Sequence, residues 1–540
     1  MKSQSRLMFA VFAAFVFVLC ALSISAQEYR GTIIGTVTDP NGAVVPGAKV
    51  TVKNTGTNIA ATVITNESGA YSVPYLVPGT YSVTIVGDGF KTSTRENVDV
   101  KVDDRVSLDF KLEIGASAEV NIVSDTEVLE RGSVTVGTQV SRRQIEELPS
   151  AEGAPYTLAT QAPGVVYTGD PNFTGPTANG NLAGFRTNGT AGNQINLDGT
   201  PNLAYTGQVA FTPPSDAVQE FKVQTNSFDS QNGFTAGSTV NVALKTGTNR
   251  FHGSGYWFNR DKSRTANNFF NNRLGRERPD RKYDRYGTTI NGPIIKDRTF
   301  FLFAFERQND NVAQPTTYSV PTLKMRQGDF SELIVNRNNI GDSANTVIYN
   351  PLNGTAAGQT RPTFGCAVPN NTPVPASCNV IPSNLIYGPA LNFLNLFPEP
   401  NQPGFVNNFI TDQNLHRPYR AFLAKVDHNM NPNHKISFTW ANSKNTEDRY
   451  NLTLEPDSIF RGFEDRQNDR LHTNYTGMLR PNLILDLRGG WNRFRLTRYQ
   501  VDQPSASALG FTAVPSERQN NIFPRFDFQN YMTVGSMRSD

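Results

Sequence analysis

The sequence predicts a mainly β protein: a leader, a small β-sandwich, a mixed α/β domain, and then the first strands of an antiparallel transmembrane barrel. Three observations predict this. Apolar residues alternate in period two over many short runs, Gly, Asn and Asp punctuate those runs, and in the second half short turns alternate with long polar linkers. Charged residues make up 18% of the chain and the formal net charge is +3, so no basic face for nucleic acid is expected.

The leader comes first. Lys2 and Arg6 precede an apolar run, which ends at Ser25-Ala26-Gln27. A basic start, an apolar centre and a small residue before a polar one describe a secretory signal peptide over residues 1–26. The run is also long enough to serve as an uncleaved anchor. Cys20 follows the bulky Leu19 and is not a convincing lipidation site. Past the leader, Cys366 and Cys378 lie close together in a Pro/Asn-rich stretch. In an exported chain this suggests one loop disulfide, with a pair of free thiols as the alternative.

Residues 27–115 carry the runs GTIIGTVTD, AKVTVKN, GAYSVPYL, GTYSVTIVG and VSLDFKLEI, separated by turns such as Asp39-Pro40-Asn41-Gly42. Short strands at that spacing predict a small β-sandwich. The series GTVTDPNGAVVPGAKV, TNESGAY and LVPGTY resembles the carboxypeptidase regulatory-like domain. No His-Glu zinc motif accompanies it, which implies a stability or interaction module and not a peptidase.

Residues 116–248 change character. Ser141-Arg142-Arg143-Gln144 has the pattern of a capping box and predicts a helix through Leu148, ended by Pro149. A second helical piece is expected over 155–161, before Pro163-Gly164. Asn188-Gly189 and Asp198-Gly199 predict tight hairpin turns, because both residue pairs accept positive φ.

From residue 249 to 540 the strand candidates are HGSGYWFNR, RYGTTINGPI, TFFLFAFERQ, YRAFLAKVDHN, HKISFTWANS, RLHTNYTGML and NLILDLRGGWNRF. Long linkers (261–284, 309–417 and 444–469) alternate with tight turns at Lys296-Asp297-Arg298, Met430-Asn431-Pro432-Asn433 and Arg480-Pro481-Asn482. Such parity is the pattern of outer-membrane barrels. The faces agree: Phe422, Ala424 and Val426 oppose Leu423, Lys425 and Asp427, and Ile436, Phe438 and Trp440 oppose Lys435, Ser437 and Thr439. Leu483, Leu485 and Leu487 likewise oppose Ile484, Asp486 and Arg488. A half-buried soluble sheet alternates in the same way; loop parity and the leader favour the barrel. The run Phe300–Phe305 is apolar on both faces, which predicts that its strand also packs against the α/β domain.

The chain from Glu220 to Gln308 resembles the plug-to-barrel junction of TonB-dependent outer-membrane receptors, in particular the Oar-like group, and the series FRTNG, INLDGT, VQEFKVQTN and VNVALKTGTNRFHGS is similar to the family's plug. The loop SAEGAPY after Leu148-Pro149 departs from the usual pattern there and leaves its contacts open. The resemblance implies a gated transporter in the outer membrane and no enzyme. Its partners would be a TonB-type energy-transducing protein, outer-membrane lipid and lipopolysaccharide, and a ligand that the sequence does not name. The extended segment Glu119, Val120, Asn121, Ile122, Val123, Ser124 stands where the family has its TonB box, a strand that pairs with the energy-transducing protein by β-augmentation. An ordinary linker strand has the same pattern. A non-transporting surface protein for adhesion or export is the alternative, since the 309–417 linker is large enough for display.

A barrel that holds a plug has on the order of twenty-two strands. The candidates above, with a further one near Phe526–Val534, fall well short, so the chain is expected to be the N-terminal portion of a larger receptor.

Chemistry is sparse. His252, His416, His428, His434 and His472 form no metal motif; Asp427-His428 near His434 is read as turn residues in water. No nucleotide-binding loop or hydrolase elbow occurs, and no cofactor is expected. Arg273, Arg276, Arg278, Arg281, Lys282 and Arg285 are read as a solvated basic loop or a contact for anionic lipid or ligand. Tyr256-Trp257-Phe258 fits an interfacial aromatic girdle better than a sugar-stacking platform.

Overall fold

The computed structural model describes residues 28–512 apart from 116–119, 124–135, 149–152, 168–184, 191, 205–208, 227–235, 268, 274, 276, 336–347, 351–363, 365–377, 450–461, 481–482 and 501–506. The leader, Cys20, Glu119, Ser124, Arg276, Cys366 and the candidate strand near Phe526 lie outside the described residues.

The N-terminal domain is a sandwich. Its strands are β1 (Gly31–Thr38), β2 (Lys49–Asn54), β3 (Ala60–Ile64), β4 (Ala70–Leu76), β5 (Gly79–Val86), β6 (Ser93–Val100), β7 (Arg105–Ser107), β8 (Phe110–Lys111) and β9 (Val120–Val123). One sheet has the order β4-β1-β7, with β8 beside β1; the other has the order β3-β2-β5-β6-β9. Alternate residues of both sheets meet in a core containing Ile33, Val50, Val52, Val73, Val83, Ile85 and Leu108. Each such side chain contributes about 1.5–3 kcal/mol by leaving water.

The middle domain contains β10 (Val136–Val140), helix α1 (Arg142–Glu147), a 3₁₀ segment (Pro155–Gln161), β11 (Val165–Tyr167), β12 (Phe185–Thr187), β13 (Gln194–Leu197), β14 (Thr200–Pro201), β15 (Val218–Asn226) and β16 (Thr239–Leu244). Its main sheet has the order β10-β15-β16-β13-β14. The capping box of α1 forms as expected: the Ser141 hydroxyl accepts from the Gln144 N–H while the Gln144 side chain accepts from the Ser141 N–H. The second helical piece is 3₁₀ and closes at Ala162, just before Pro163. Asn188 and Gly189, and Asp198 and Gly199, all have positive φ, and the second pair joins β13 to β14.

The third region is one antiparallel sheet of seven strands in sequence order: β17 (His252–Asp261), β18 (Arg281–Ile295), β19 (Thr299–Tyr318), β20 (Phe409–Asn431), β21 (His434–Arg449), β22 (Gly462–Arg480) and β23 (Leu483–Gln500). β17 and β23 are its edges, so the described sheet is unclosed. Short turns follow β18, β20 and β22 at one end, and long connections follow β17, β19 and β21 at the other. The long connections hold the short helices α2 (Phe269–Arg273), α3 (Glu332–Val335) and α4 (Gly388–Leu394).

The strands run longer than the sequence suggested. β20 has 23 residues, whereas about 9–11 tilted residues cross the hydrocarbon. The excess is polar strand beyond the apolar band, where alternation gives no signal; residues 309–318 and 409–417, read as linker, are paired strand. Outward side chains include Trp257, Ile290, Phe303, Phe438, Trp440, Leu485, Leu487 and Trp491, all exposed. Inward, Leu302, Ala304, Tyr419, Ala421, Leu423 and Ala441 join one core with Val140, Ile145, Tyr156, Phe211, Phe221 and Leu244 of the middle domain. The expected packing of the Phe300–Phe305 strand is therefore present. No helix among the described residues is long and apolar enough to cross a membrane, which says nothing about strands.

Candidate functional site

The polar contacts that join the middle domain to the seven-stranded sheet concentrate on the β13–β14 turn. A tight turn leaves carbonyls that its own ladder does not satisfy, and here two arginines of the sheet meet them while a lysine pairs with the turn's carboxylate. Lys425 Nζ on β20 donates to Asp198 Oδ2 at 2.8 Å, with both side chains almost fully buried. The other oxygen of Asp198 accepts from the Leu244 N–H at 2.9 Å. Arg470 on β22 spreads its guanidinium over the turn, donating to Pro201 O at 2.9 Å, Asn202 Oδ1 at 3.2 Å, and Leu197 O and Thr200 O at 3.3 Å. It also reaches Thr200 Oγ1. Arg488 on β23 donates to Gly199 O at 3.4 Å. One turn of the middle domain is thus gripped from three strands of the sheet.

A second contact joins β18 and β19 to the other side of the domain. Arg285 donates through Nε and Nη2 to Glu306 Oε2 at 3.0 and 2.7 Å, and through Nη2 to Ser215 Oγ at 2.7 Å. The Tyr256 hydroxyl donates to the same carboxylate oxygen at 2.6 Å. Gly153 has φ +73°, and a Cβ there would fall on the Arg285 guanidinium, so only glycine fits. Nearby, Lys245 Nζ bridges Asp216 at 2.9 Å and Glu146 at 3.3 Å.

The sandwich sits at the short-turn end. Arg30 Nη2 pairs with Asp486 Oδ1 at 2.9 Å, Glu28 Oε2 with Arg488 Nη2 at 2.6 Å, and Asn58 Nδ2 with Asp297 Oδ1 at 3.0 Å. Against the middle domain, Glu220 accepts from the Val102 N–H at 2.5 Å and from Gln139 Nε2 at 2.8 Å, while Lys222 Nζ donates to Asp103 O at 3.0 Å. Burial pushes the Glu220 carboxyl up to about 7, only partly offset by those two donors.

Several residues singled out in the sequence lie elsewhere than expected. Arg281 and Arg285 are not on a solvated loop: both are on β18, where Arg281 pairs with Asp310 at 3.0 Å and Arg285 is buried. Arg278 donates to Thr265 O at 2.5 Å. Tyr256 faces inward and leaves Trp257 as the outward aromatic, because consecutive strand residues alternate. His428 and His434 do flank the β20–β21 turn, but both are half-buried and meet Thr299 Oγ1 at 2.8 Å and Tyr475 Oη at 2.6 Å, while His472 is buried within β22. Cys378 is buried and disulfide-bonded. The segment Val120–Val123 is a strand on the sandwich edge, parallel to β6 with Ser93 opposite Val120 and Glu96 opposite Val123. Sequence reasoning missed the clamp: Arg470 and Arg488 carry no motif, and only their inward parity marks them.

Residues 243–540 match the outer membrane beta barrel domain, and residues 32–113 match the carboxypeptidase regulatory-like domain. The chain belongs to the outer membrane beta barrel domain family, and its place is the outer membrane. It is similar to the TonB-dependent transporter Oar of Myxococcus xanthus, with 27% identity over 303 residues, which cover 52% of this chain and 27% of that protein. Similar solved structures include the outer membrane transporter YddB from Escherichia coli, with TM-score 0.39 and 12% identity over 66% of this chain and 38% of that one. The siderophore receptor PirA from Acinetobacter baumannii aligns with TM-score 0.36 and 12% identity over 74% of this chain and 43% of that one.

Proposed function

We propose that the chain is part of a TonB-dependent outer-membrane transporter that imports a scarce ligand by plug gating. In this reading residues 1–26 are the signal peptide and 27–115 the regulatory-like sandwich, reached from the periplasm. Residues 116–248 are the coupling segment and plug, and 249–540 are a partial barrel wall with long extracellular loops. The observation that carries it is the three-cation grip on the β13–β14 turn. A buried ionic contact gains little net stability but is specific in geometry. That suits a body that must sit in one place and still be moved. An oily interface of the same area would hold it more firmly and with less register.

Glu119, Val120, Asn121, Ile122, Val123 and Ser124 are the proposed coupling segment, whose partner is a TonB-type protein of the inner membrane. The test is binding of a purified TonB C-terminal domain to the mature chain, with Val120→Pro/Ile122→Pro as control, since proline removes backbone donors. Saturable binding lost in the control is expected. Deleting residues 119–124 separates the alternative: uptake collapses in a transporter, while adhesion by a surface protein survives. What supports that alternative is the small core that Val320, Phe393 and Phe397 of the long connection build with Phe409 of β20 and Leu509.

A further inference from the structure

Four residues of the proposed coupling segment, Val120–Val123, are paired as β9. β9 is the last strand of the sheet β3-β2-β5-β6-β9, and among the described residues no strand covers its outer edge. Backbone N–H and C=O groups of successive strand residues point to opposite edges. Pairing with β6 therefore uses alternate residues of β9 and leaves the others directed outward. The sheet that carries this edge is itself fixed. Arg30–Asp486, Glu28–Arg488 and Asn58–Asp297 tie the sandwich to the short-turn end of the seven-stranded sheet, and Lys222–Asp103 ties it to the middle domain.

We infer that the sandwich is a presentation platform: the energy-coupling protein adds its own edge strand to the outer edge of β9, as the sixth strand of this sheet, while β9 stays paired with β6. The inference rests on the transporter reading above. A strand edge recognises another strand through its backbone, so the chemistry asks for an extended, unpaired edge and little side-chain specificity. Holding β9 ordered beforehand removes the cost of ordering it on binding. It also gives the regulatory-like domain a role within the transporter.

The test uses the full chain in detergent with Glu96→Cys and Val123→Cys, positions directly opposite in the β6–β9 register. A short bis-methanethiosulfonate bridges them reversibly. The linked chain is expected to bind the purified TonB C-terminal domain within about threefold of the unlinked one. A loss of about tenfold or more on linking, restored by reductant, overturns the inference and shows that β9 must leave the sheet first. Failure of the cysteines to link overturns it too, because β9 is then not beside β6. Self-association of the linked chain without TonB binding assigns the edge to a second copy and overturns it as well. If neither form binds, the transporter reading falls together with it.

Discussion

The sandwich and the inner face of the seven-stranded sheet both bury long stretches of strand, with opposite chemistry. In the sandwich, alternate residues such as Ile33, Val50, Val83 and Ile85 meet one another in an apolar core. On the sheet the buried face carries Arg285, Glu306, Gln308, Asp310, Lys425, Arg470 and His472 beside a narrow strip of Leu302, Ala304, Ala421 and Leu423. The sandwich closes on itself. The sheet, whose outward residues are apolar, turns its polar set toward a separate body, and burial there comes from docking. Losing a contact in an apolar core forfeits transfer energy and leaves a cavity that closes only in part, whereas in a docked ionic face it leaves a buried charge without its partner.

The sharpest way to break that comparison is to remove one member of the clamp. Lys425→Met leaves Asp198 buried with only the Leu244 N–H. Breaking one side of a buried pair costs about 3–5 kcal/mol, here against docking of the middle domain. Hydrogen exchange over residues 194–202 should accelerate strongly in the variant, with the strand register of β19 to β22 intact. Adding Asp198→Asn should recover much of the loss. Unchanged exchange in the single variant would mean that the apolar strip alone holds the domain.

The counterpart in the sandwich is Ile33→Ala, at a fully buried position. It should cost about 2–5 kcal/mol through lost transfer energy and a cavity. The effect belongs to the sandwich: its unfolding, followed by proteolysis at the 66–69 turn, should shift while unfolding of the seven-stranded sheet does not. Joint shifts would show that the two regions unfold as one unit.

The same contrast decides what was legible in the sequence. Period-two alternation revealed the sandwich strands and the apolar centres of β18 to β23, and the Ser141 box and the Asp198-Gly199 pair signalled local structure by their own chemistry. The polar ends of β19 and β20 did not show, because outside the bilayer a strand needs no apolar face. Arg281 and Arg285 looked like a solvated basic run for a related reason: their partners Asp310 and Glu306 lie on the next strand. Pairing across a sheet depends on register, and register leaves no local mark. The clamp was hidden in the same way, its cations coming from three strands and its turn from another domain.

A smaller effect sharpens the boundary between sandwich and middle domain. The Glu220 carboxyl stands at about 7 in the folded chain against 4.5 for the free group. Because the folded value is the higher one, its contribution to stability is complete below pH 4.5 and is lost as pH rises through about 7. The slope is at most about 1.4 kcal/mol per pH unit. Glu220→Gln should flatten the pH dependence of sandwich undocking in that window and stabilise the junction above it. An amide keeps an acceptor for the Val102 N–H, and Gln139 can turn its own amide to match. Thermal unfolding at a series of pH values checks this, and an unchanged slope would place the titrating group elsewhere.

The smallest effect concerns a helix whose stability is local. α1 has six residues and buries only Ile145, so tertiary packing supplies little beyond that contact. Its end is held by the reciprocal bonds of Ser141 and Gln144, and its exposed side by the Arg142–Glu146 and Arg143–Glu147 pairs. The exposed pairs add a few tenths of a kcal/mol each at low salt, and the cap about 1 kcal/mol. Ser141→Ala should therefore cost about 1 kcal/mol, visible as faster exchange at the Gln144 and Ile145 amides and nowhere in the sandwich or the sheet. Since Glu146 also meets Lys245, fraying of α1 should loosen that contact before it touches the clamp. If Ser141→Ala instead speeds exchange at the β13–β14 turn, the two contacts of the middle domain act as one, and the division between a local cap and a docked ionic face does not hold.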